Sequence, residues 1–211
     1  MPDKPKPKIS TFTTRVDTIY AATFLVMAPE HPMALEITKP EFRQEVEKYI
    51  QKSKAKSERE RQINKEKTGV FTGSYVKHPL QGGKIPVWIA DFVLANYGTG
   101  VVMADAHDER DVEFALKYNI PLKETISEDG KSRENFQEKL KNGEIFTKYG
   151  ILFDSGEFSG LDGKEAKQKI TQKLVDLGKG EKQINFKFRD WVFSRQRYWG
   201  DPFPLEYHNI K

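Results

Sequence analysis

The chain has 211 residues, a formal net charge of +4 and an isoelectric point of about 9.0. Its 37% of hydrophobic and 31% of charged residues are typical of a globular protein with a polar surface, and the mild positive excess does not by itself indicate nucleic-acid binding. The absence of cysteine excludes disulfides, thiolate nucleophiles and Cys-ligated zinc. A run of about 18 apolar residues and a signal-peptide pattern are both missing, so we expect no membrane contact and a cytoplasmic location.

The first third of the chain predicts short elements followed by one long helix. Lys8–Thr14 alternates enough to predict a strand, and Ile19–Ala28 predicts a helical turn that runs into an apolar strand at Phe24–Met27. Lys39–Lys67 predicts a long helix whose apolar stripe is confined to its first half. Charges of alternating sign in the second half are typical of a solvated helix or a mobile hairpin.

The remaining chain alternates between strand and helix patterns, which predicts a mixed α/β (α+β) fold. Strands are predicted at Gly69–Tyr75, Lys84–Leu94, Val101–Met103, Ile120–Ile126 and within Ile151–Gly160, with a turn at 78–83. A short helix is predicted at Ser132–Asn142 and an amphipathic helix at Asp162–Leu177, which Gly178 ends.

Polar side chains gather where the predicted strand Val101–Met103 leads into a helix. Asp108 occupies the N-cap position of that helix, Asp111 falls in its first turn, and His107 precedes both. A helix N-terminus favours negative charge, so we expect both aspartates to be ionised and able to hold a cation. The same pattern also fits plain helix capping, and a metal site formed by these three residues lacks a second histidine at ligand spacing.

A second polar region, which we call the threonine segment (Thr13–Thr18), contains three threonines and an Arg15–Asp17 pair. This composition is unusual for a plain connection, although a threonine-rich strand edge carrying an ion pair would also produce it. The sequence offers neither a Gly-x-Ser-x-Gly motif nor a paired Ser and His, and it has no cysteine. A covalent acyl intermediate is therefore not expected.

Six sequence blocks, in order along the chain, resemble one protein family. They are Phe12–Thr18, Lys67–Gly73, Ile85–Leu94 with Tyr97–Gly100, His107–Asp111, Asp154–Leu161, and Arg189–Trp191 with Ser194–Gly200. Together they resemble the editing domain (connective peptide 1) of class I aminoacyl-tRNA synthetases for branched aliphatic amino acids. The fourth and sixth blocks are most similar to those of leucyl-tRNA synthetases, because the isoleucyl and valyl enzymes carry other residues around the second aspartate.

The resemblance implies a fold and a division of the chain. It implies a compact, β-barrel-like editing domain surrounded by helices at residues 1–184, followed by a segment at 185–211 that leads back to the synthetase catalytic domain. The ATP-binding signatures His-x-Gly-His and Lys-Met-Ser-Lys-Ser do not occur in the sequence, so amino-acid activation is not expected of this chain.

The activity that the resemblance implies is hydrolysis of a wrong aminoacyl ester, of the norvaline, isoleucine or methionine type, at the 3′ end of tRNA(Leu). The expected partners are that 3′ end with its misacylated adenosine and the rest of the synthetase, and the isolated domain is expected to be a monomer. No metal or cofactor is expected for editing, whereas the full-length leucine-tRNA ligase would use ATP and Mg. One rival hypothesis is a catalytically silent module that binds the tRNA acceptor end, and another is a metal-dependent phosphohydrolase.

The resemblance also assigns roles to individual residues. Asp111 is expected to pair with the α-ammonium of the substrate, and Thr18 to wall the pocket against the γ-branch of leucine. Thr13 and Thr14 are expected to position water or the scissile carbonyl. Arg15 is expected to contact the phosphate or ribose of the terminal adenosine, and Tyr97 and Met103 to line the pocket. The other predicted substrate-binding residues are Asp17, His107 and Asp108. Asp108 can instead support Arg15 or cap the helix.

The chain departs from the family pattern at two positions. Val16 stands where the family usually has proline, and Asp105 stands alone between Ala104 and Ala106 where the family usually has a Val-Pro pair. The second departure shortens the connection by one residue and places a charge beside the expected pocket. In the silent-module hypothesis, Asp105 is the residue that spoils the pocket.

Overall fold

The computed structural model describes residues 8–56, 60–61 and 66–183, most of which belong to a unit spanning Met1–Glu181. These residues form two β-sheets with helices packed around them. The aromatic and arginine-rich segment at 185–211 lies outside the described residues, so its return to a catalytic domain stays a prediction.

The larger sheet has four strands in the order β2-β3-β1-β4. They are β1 (Phe24–Met27), β2 (Gly69–Lys77), β3 (Lys84–Ala90) and β4 (Val101–Ala104). Valine, isoleucine and aromatic residues favour this extended backbone. β1 lies in the interior, parallel to β3 and antiparallel to β4, and β2 pairs with β3 as an antiparallel hairpin across the predicted turn at 78–83. A smaller antiparallel sheet pairs β5 (Ile126–Ser127) with β6 (Ile151–Leu152).

The helices that cover these sheets include α1 (Arg43–Lys54), α2 (Glu109–Lys117), α3 (Phe136–Lys141) and α4 (Gly163–Asp176). Short 3-10 helices lie at Val16–Ala21, Pro40–Phe42 and Gly156–Phe158. The predicted mixed α/β class is confirmed, and in the described part of the chain both sheets are open rather than closed into a barrel. No helix within the described ranges combines the length and the apolar character that a membrane crossing needs.

The buried strand β1 separates two apolar clusters, because successive side chains of a strand point to opposite faces. Phe24 packs on one face with Phe114 of α2, and their rings stack at a centroid distance of 5.8 Å. Leu25 packs on the other face with Val46 of α1. A third cluster joins Ile19 of the first 3-10 helix to the small sheet and α4. The chain that leaves the threonine segment is therefore anchored on both faces of the sheet.

Two predicted strands are largely wrong. Lys8–Thr14 is irregular: the Thr13 hydroxyl accepts the backbone N–H of Arg15 at 3.0 Å, and this local bond turns the chain. Of Ile120–Ile126, only the last residue belongs to a strand, because the paired stretch of β5 and β6 is two residues long.

In the second half of the helix predicted at Lys39–Lys67, Glu60 and Arg61 are helical, and residues 57–59 and 62–65 lie outside the described residues, so a solvated helix or a hairpin there stays a prediction. α1 ends at Lys54, close to the last buried apolar residue of its stripe, Ile50. Beyond that point the sequence offers few apolar side chains to hold a helix on the sheet. The amphipathic helix predicted at Asp162–Leu177 is confirmed as α4, and Gly178 follows it with a φ of 61°.

Candidate functional site

The sheet brings the two polar regions of the sequence together. β1 and β4 run antiparallel, with Phe24 opposite Ala104, and the backbone N–H of Thr23 donates to the carbonyl oxygen of Ala104 at 3.1 Å. The chain that enters β1 therefore lies beside the chain that leaves β4. This places the threonine segment next to residues Asp105–Asp111, which we call the acidic corner.

A hydrogen bond joins the two regions directly. The Thr18 hydroxyl lies 2.6 Å from Oδ2 of Asp105 and 2.9 Å from the backbone carbonyl oxygen of Arg15. Oδ1 of Asp105 accepts the backbone N–H of His107 at 2.7 Å, and the N–H of Asp105 donates to Oδ2 of Asp111 at 3.3 Å. Thr18 and Asp111, the two residues with the sharpest predicted roles, are thus connected through Asp105.

Asp111 is buried in the first turn of α2, with 8% of its surface exposed. Burial raises its pKa well above the ordinary value, and the negative charges of Asp108 and Asp105 act in the same direction. Among the residues that the structure describes, no ion pair forms on its carboxylate. Burial therefore opposes the ionised form of Asp111 that the helix N-terminus favours, and the expectation that Asp111 is ionised stays a prediction.

Asp108 is the N-cap of α2, as the sequence predicts. Its carboxylate accepts the backbone N–H of Arg110 at 2.9 Å and that of Asp111 at 3.4 Å. Its side-chain partner is the Arg110 guanidinium at 3.4 Å, rather than Arg15. These bonds satisfy free donors at the helix start, so the carboxylate is used in capping.

The partly exposed Arg15 and the buried Asp17 form an ion pair in which two guanidinium nitrogens contact the carboxylate. Nε of Arg15 lies 3.0 Å from one carboxylate oxygen and a terminal nitrogen lies 2.8 Å from the other. The guanidinium also donates to the carbonyl oxygen of Thr147 at 2.8 Å and lies 4.4 Å from the ring centroid of Tyr149. The ion-pair interpretation of this segment is confirmed, and in this structure Arg15 ties the segment to residues 147–149 rather than pointing a free charge at a phosphate.

His107 is buried between two backbone groups. Its Nδ1 lies 2.9 Å from the carbonyl oxygen of Phe146, and its Nε2 lies 3.3 Å from the backbone nitrogen of Thr125. Nδ1 must donate to the carbonyl and Nε2 must accept from the N–H, which defines a neutral imidazole with its proton on Nδ1. The ring connects chain segments beneath the acidic corner, so its predicted contact with substrate is not supported by this arrangement.

The remaining predicted residues lie at the rim or in the wall of this region. Thr13 and Thr14 are exposed. Tyr97 has 59% of its surface exposed and meets the edge of Phe12 at a centroid distance of 6.1 Å. Met103 is half-buried on β4 and packs against two of the three apolar clusters.

Sequence reasoning missed two contributions to the site. Asp105 stood out as a departure from the family pattern, but its bond to Thr18 depends on the pairing of β1 with β4. Nothing in the sequence indicated that Thr147 and Tyr149 contact Arg15, because Thr147 is separated from Arg15 by 132 positions and Tyr149 lies still further along the chain.

The chemistry of this arrangement suits a small cationic group better than a metal ion. Two buried carboxyls, Asp105 and Asp111, lie beside a hydroxyl, and only the second lacks a strong hydrogen bond. Within the described ranges, no group of three or more His, Asp and Glu side chains is arranged to hold a metal. A ligand ammonium could donate to Asp111 and would favour its ionised form.

Comparison with known proteins agrees with this geometry. The family described as leucyl-tRNA synthetase, editing domain, matches residues 2–175. The chain is 50% identical over 198 residues to a leucine–tRNA ligase of Clostridium perfringens and 47% identical over 211 residues to that of Dehalococcoides mccartyi. These matches cover 93% and 98% of this chain, but 23% and 25% of the relatives.

A solved structure shows the same fold. It is the ternary complex of the Agrobacterium radiobacter K84 agnB2 LeuRS with tRNA and LeuAMS, at 28% identity and a TM-score of 0.63. The match covers 86% of this chain and 18% of that chain. Because the family match spans most of the sequence and a solved relative shares the fold, the chain belongs to the editing-domain family of the leucyl-tRNA synthetases.

Proposed function

We propose that this chain hydrolyses the ester of misacylated tRNA(Leu), releasing a non-cognate amino acid of the norvaline, isoleucine or methionine type. One observation carries the proposal: Asp111 is a buried carboxyl with a raised pKa and no ion pair among the described residues, beside the wall formed by Thr18. Such a group is costly to ionise alone and gains most from a bound cation. The α-ammonium of an aminoacyl ester supplies that cation.

The hydrolysis itself requires no covalent intermediate. The α-ammonium withdraws electrons from the ester carbonyl, so a positioned water can add to it, and the ribose oxygen leaves with a proton. Asp111 holds the ammonium and thereby fixes where the carbonyl lies, which is catalysis by proximity and orientation. In this proposal Thr13 and Thr14, two exposed residues of the threonine segment, position the water and the scissile carbonyl.

Thr18 gives the site its selectivity in this proposal. It is 5% exposed and held by hydrogen bonds on its hydroxyl, so its side chain forms a fixed wall. A wall of this kind excludes the γ-branch of leucine by overlap while admitting a linear or β-branched side chain. Direct binding separates substrates that differ by one methylene by only about 1–3 kcal/mol, and a second, hydrolytic site adds to that selection.

The partners in this proposal are the 3′ end of tRNA(Leu) and the rest of a synthetase. The chain spans about a quarter of the length of the relatives it matches, so the activation of leucine with ATP and Mg belongs to parts that these relatives have in addition. The solved relative was crystallised with tRNA, which supports tRNA as the substrate carrier.

Single-turnover hydrolysis tests the proposal. We expect norvalyl- and isoleucyl-tRNA(Leu) to lose their amino acid in the presence of this chain, and leucyl-tRNA(Leu) to be spared. One observation favours the silent-module alternative: the carboxyl of Asp105 is already hydrogen-bonded to the Thr18 hydroxyl. Binding of tRNA(Leu) without hydrolysis of either misacylated form would favour that alternative.

Metal removal separates editing from the phosphohydrolase hypothesis. We expect that treating the protein with EDTA and removing the chelator leaves its deacylation rate unchanged. A loss of activity that added zinc or magnesium restores would instead support a metal held by His107, Asp108 and Asp111.

A further inference from the structure

We propose that Asp105 is a positioning residue for Thr18, and that it thereby sets how strictly the site rejects leucine. The inference rests on the proposed editing function, because it concerns the selectivity of that same site. The Val-Pro pair that usually occupies this place in the family has no side-chain group that could hydrogen-bond a threonine hydroxyl.

The Asp105 carboxyl is fixed before it reaches Thr18. It follows the last residue of β4, Ala104, which is fully buried, and it is itself 7% exposed. Its Oδ1 accepts the backbone N–H of His107 at 2.7 Å, which leaves Oδ2 for the Thr18 hydroxyl at 2.6 Å. The carboxyl plane is thus defined by a bond to the chain two residues ahead.

The hydrogens around Thr18 can be assigned in two ways, and both hold its side chain. The hydroxyl carries one proton and has two oxygen neighbours, the carbonyl of Arg15 at 2.9 Å and Oδ2 of Asp105 at 2.6 Å. If Thr18 donates to the carbonyl, Oδ2 must carry a proton and donate to Thr18. If Asp105 is ionised, Thr18 donates to it, and the Arg15 carbonyl still accepts the backbone N–H of Thr18 at 3.1 Å.

Several charged groups influence which assignment holds. Burial raises the pKa of Asp105, and the charge of Asp108 raises it further, whereas the hydrogen bonds from the Thr18 hydroxyl and the backbone N–H of His107 lower it. Asp111 and Arg15 also interact electrostatically with this carboxyl. Protonated Asp105 satisfies three oxygens at once: its own Oδ2, the hydroxyl oxygen of Thr18 and the carbonyl oxygen of Arg15.

The bond to Asp105 also places the methyl group of Thr18. Oγ1 and Cγ2 share one carbon, so a hydroxyl held by two partners leaves a single staggered position for the methyl. Without Asp105, the Arg15 carbonyl alone would hold the hydroxyl, and the side chain could exchange rotamers. A wall that exchanges rotamers rejects a branched side chain less strictly.

The test compares two substitutions at Asp105. Asp105→Ala removes the bond, and we expect the ratio of norvalyl- to leucyl-tRNA(Leu) hydrolysis rates in single turnover to fall roughly tenfold or more. Asp105→Asn should keep the ratio of the wild type, because its amide nitrogen can donate to Thr18 while its oxygen accepts from His107. The control is Asp129→Ala: the exposed Asp129 likewise accepts a backbone N–H and a hydroxyl bond, each at 3.1 Å, in a surface turn.

A second measurement does not depend on activity. Three-bond NMR couplings of Thr18 in the free protein should show one rotamer in the wild type and in Asp105→Asn, and averaged rotamers in Asp105→Ala. A wild type with averaged rotamers, or Asp105→Ala that keeps both the wild-type rotamer and the wild-type selectivity, would overturn the inference. A wild type that hydrolyses no misacylated tRNA would overturn the proposed function, while the couplings would still decide whether Asp105 holds Thr18.

Discussion

Replacing Asp111 with asparagine should strongly lower the proposed editing activity by removing the ion pair with the substrate ammonium. The substitution keeps the size of the side chain but leaves a neutral amide opposite the substrate ammonium. Truncating one partner of a buried, hydrogen-bonded charge pair costs about 2–5 kcal/mol. Since about 1.4 kcal/mol corresponds to a tenfold change, kcat/KM for deacylation should fall between about 30-fold and a few thousand-fold.

The assay is single-turnover release of norvaline from tRNA(Leu), with the protein in excess over the tRNA. Asp129→Asn is the matched control, because it makes the same chemical change in an exposed surface turn. A loss that appears in both variants would point to a general effect on the fold or on tRNA binding. Deacylation within about threefold of the wild type in Asp111→Asn would refute the assignment of Asp111 as the ammonium anchor.

The remaining predictions concern stability and selectivity. Because burial raises the pKa of Asp111, the wild type loses stability as the pH rises through that pKa. In scanning calorimetry, Asp111→Asn should therefore have a higher Tm than the wild type at about pH 8, and the difference between the two Tm values should close near pH 4. Thr18→Ala should admit leucine, so hydrolysis of leucyl-tRNA(Leu) should rise by roughly tenfold or more, and continued sparing of that substrate would contradict the wall. Arg15→Leu leaves the buried Asp17 unpaired, which should cost about 3–5 kcal/mol and lower the Tm by roughly 6–20 °C, whereas a Tm unchanged within error would show that the ion pair is dispensable.

Local chemistry explains which parts of the structure could be predicted from the sequence. Asp108 was identifiable as a helix N-cap because a cap depends on residues within one turn of itself. The strand Phe24–Met27 was identifiable because its burial on both faces requires an unbroken apolar run. The strand predicted at Lys8–Thr14 is wrong because an alternation of apolar and polar residues is necessary for an edge strand but does not supply a partner strand.

The site depended on contacts that the sequence does not display. The resemblance to known editing domains pointed to Asp111 and Thr18, but the raised pKa of Asp111 follows from how deeply the fold buries it. Arg15 and His107 are each hydrogen-bonded to backbone groups on distant segments, at Thr147 and Phe146, and the sequence alone does not display these contacts. Such assignments require tertiary distances.

The position of β1 in the sheet has a mechanical consequence for the site. β1 is hydrogen-bonded to β3 on one side and β4 on the other, and each of its four residues is buried, so its amides should exchange with solvent more slowly than those of the surrounding loops. Thr18 precedes this strand and Asp105 follows its partner. The relative position of Thr18 and Asp105 therefore depends on a paired ladder of buried residues, and it should change only when the sheet itself opens.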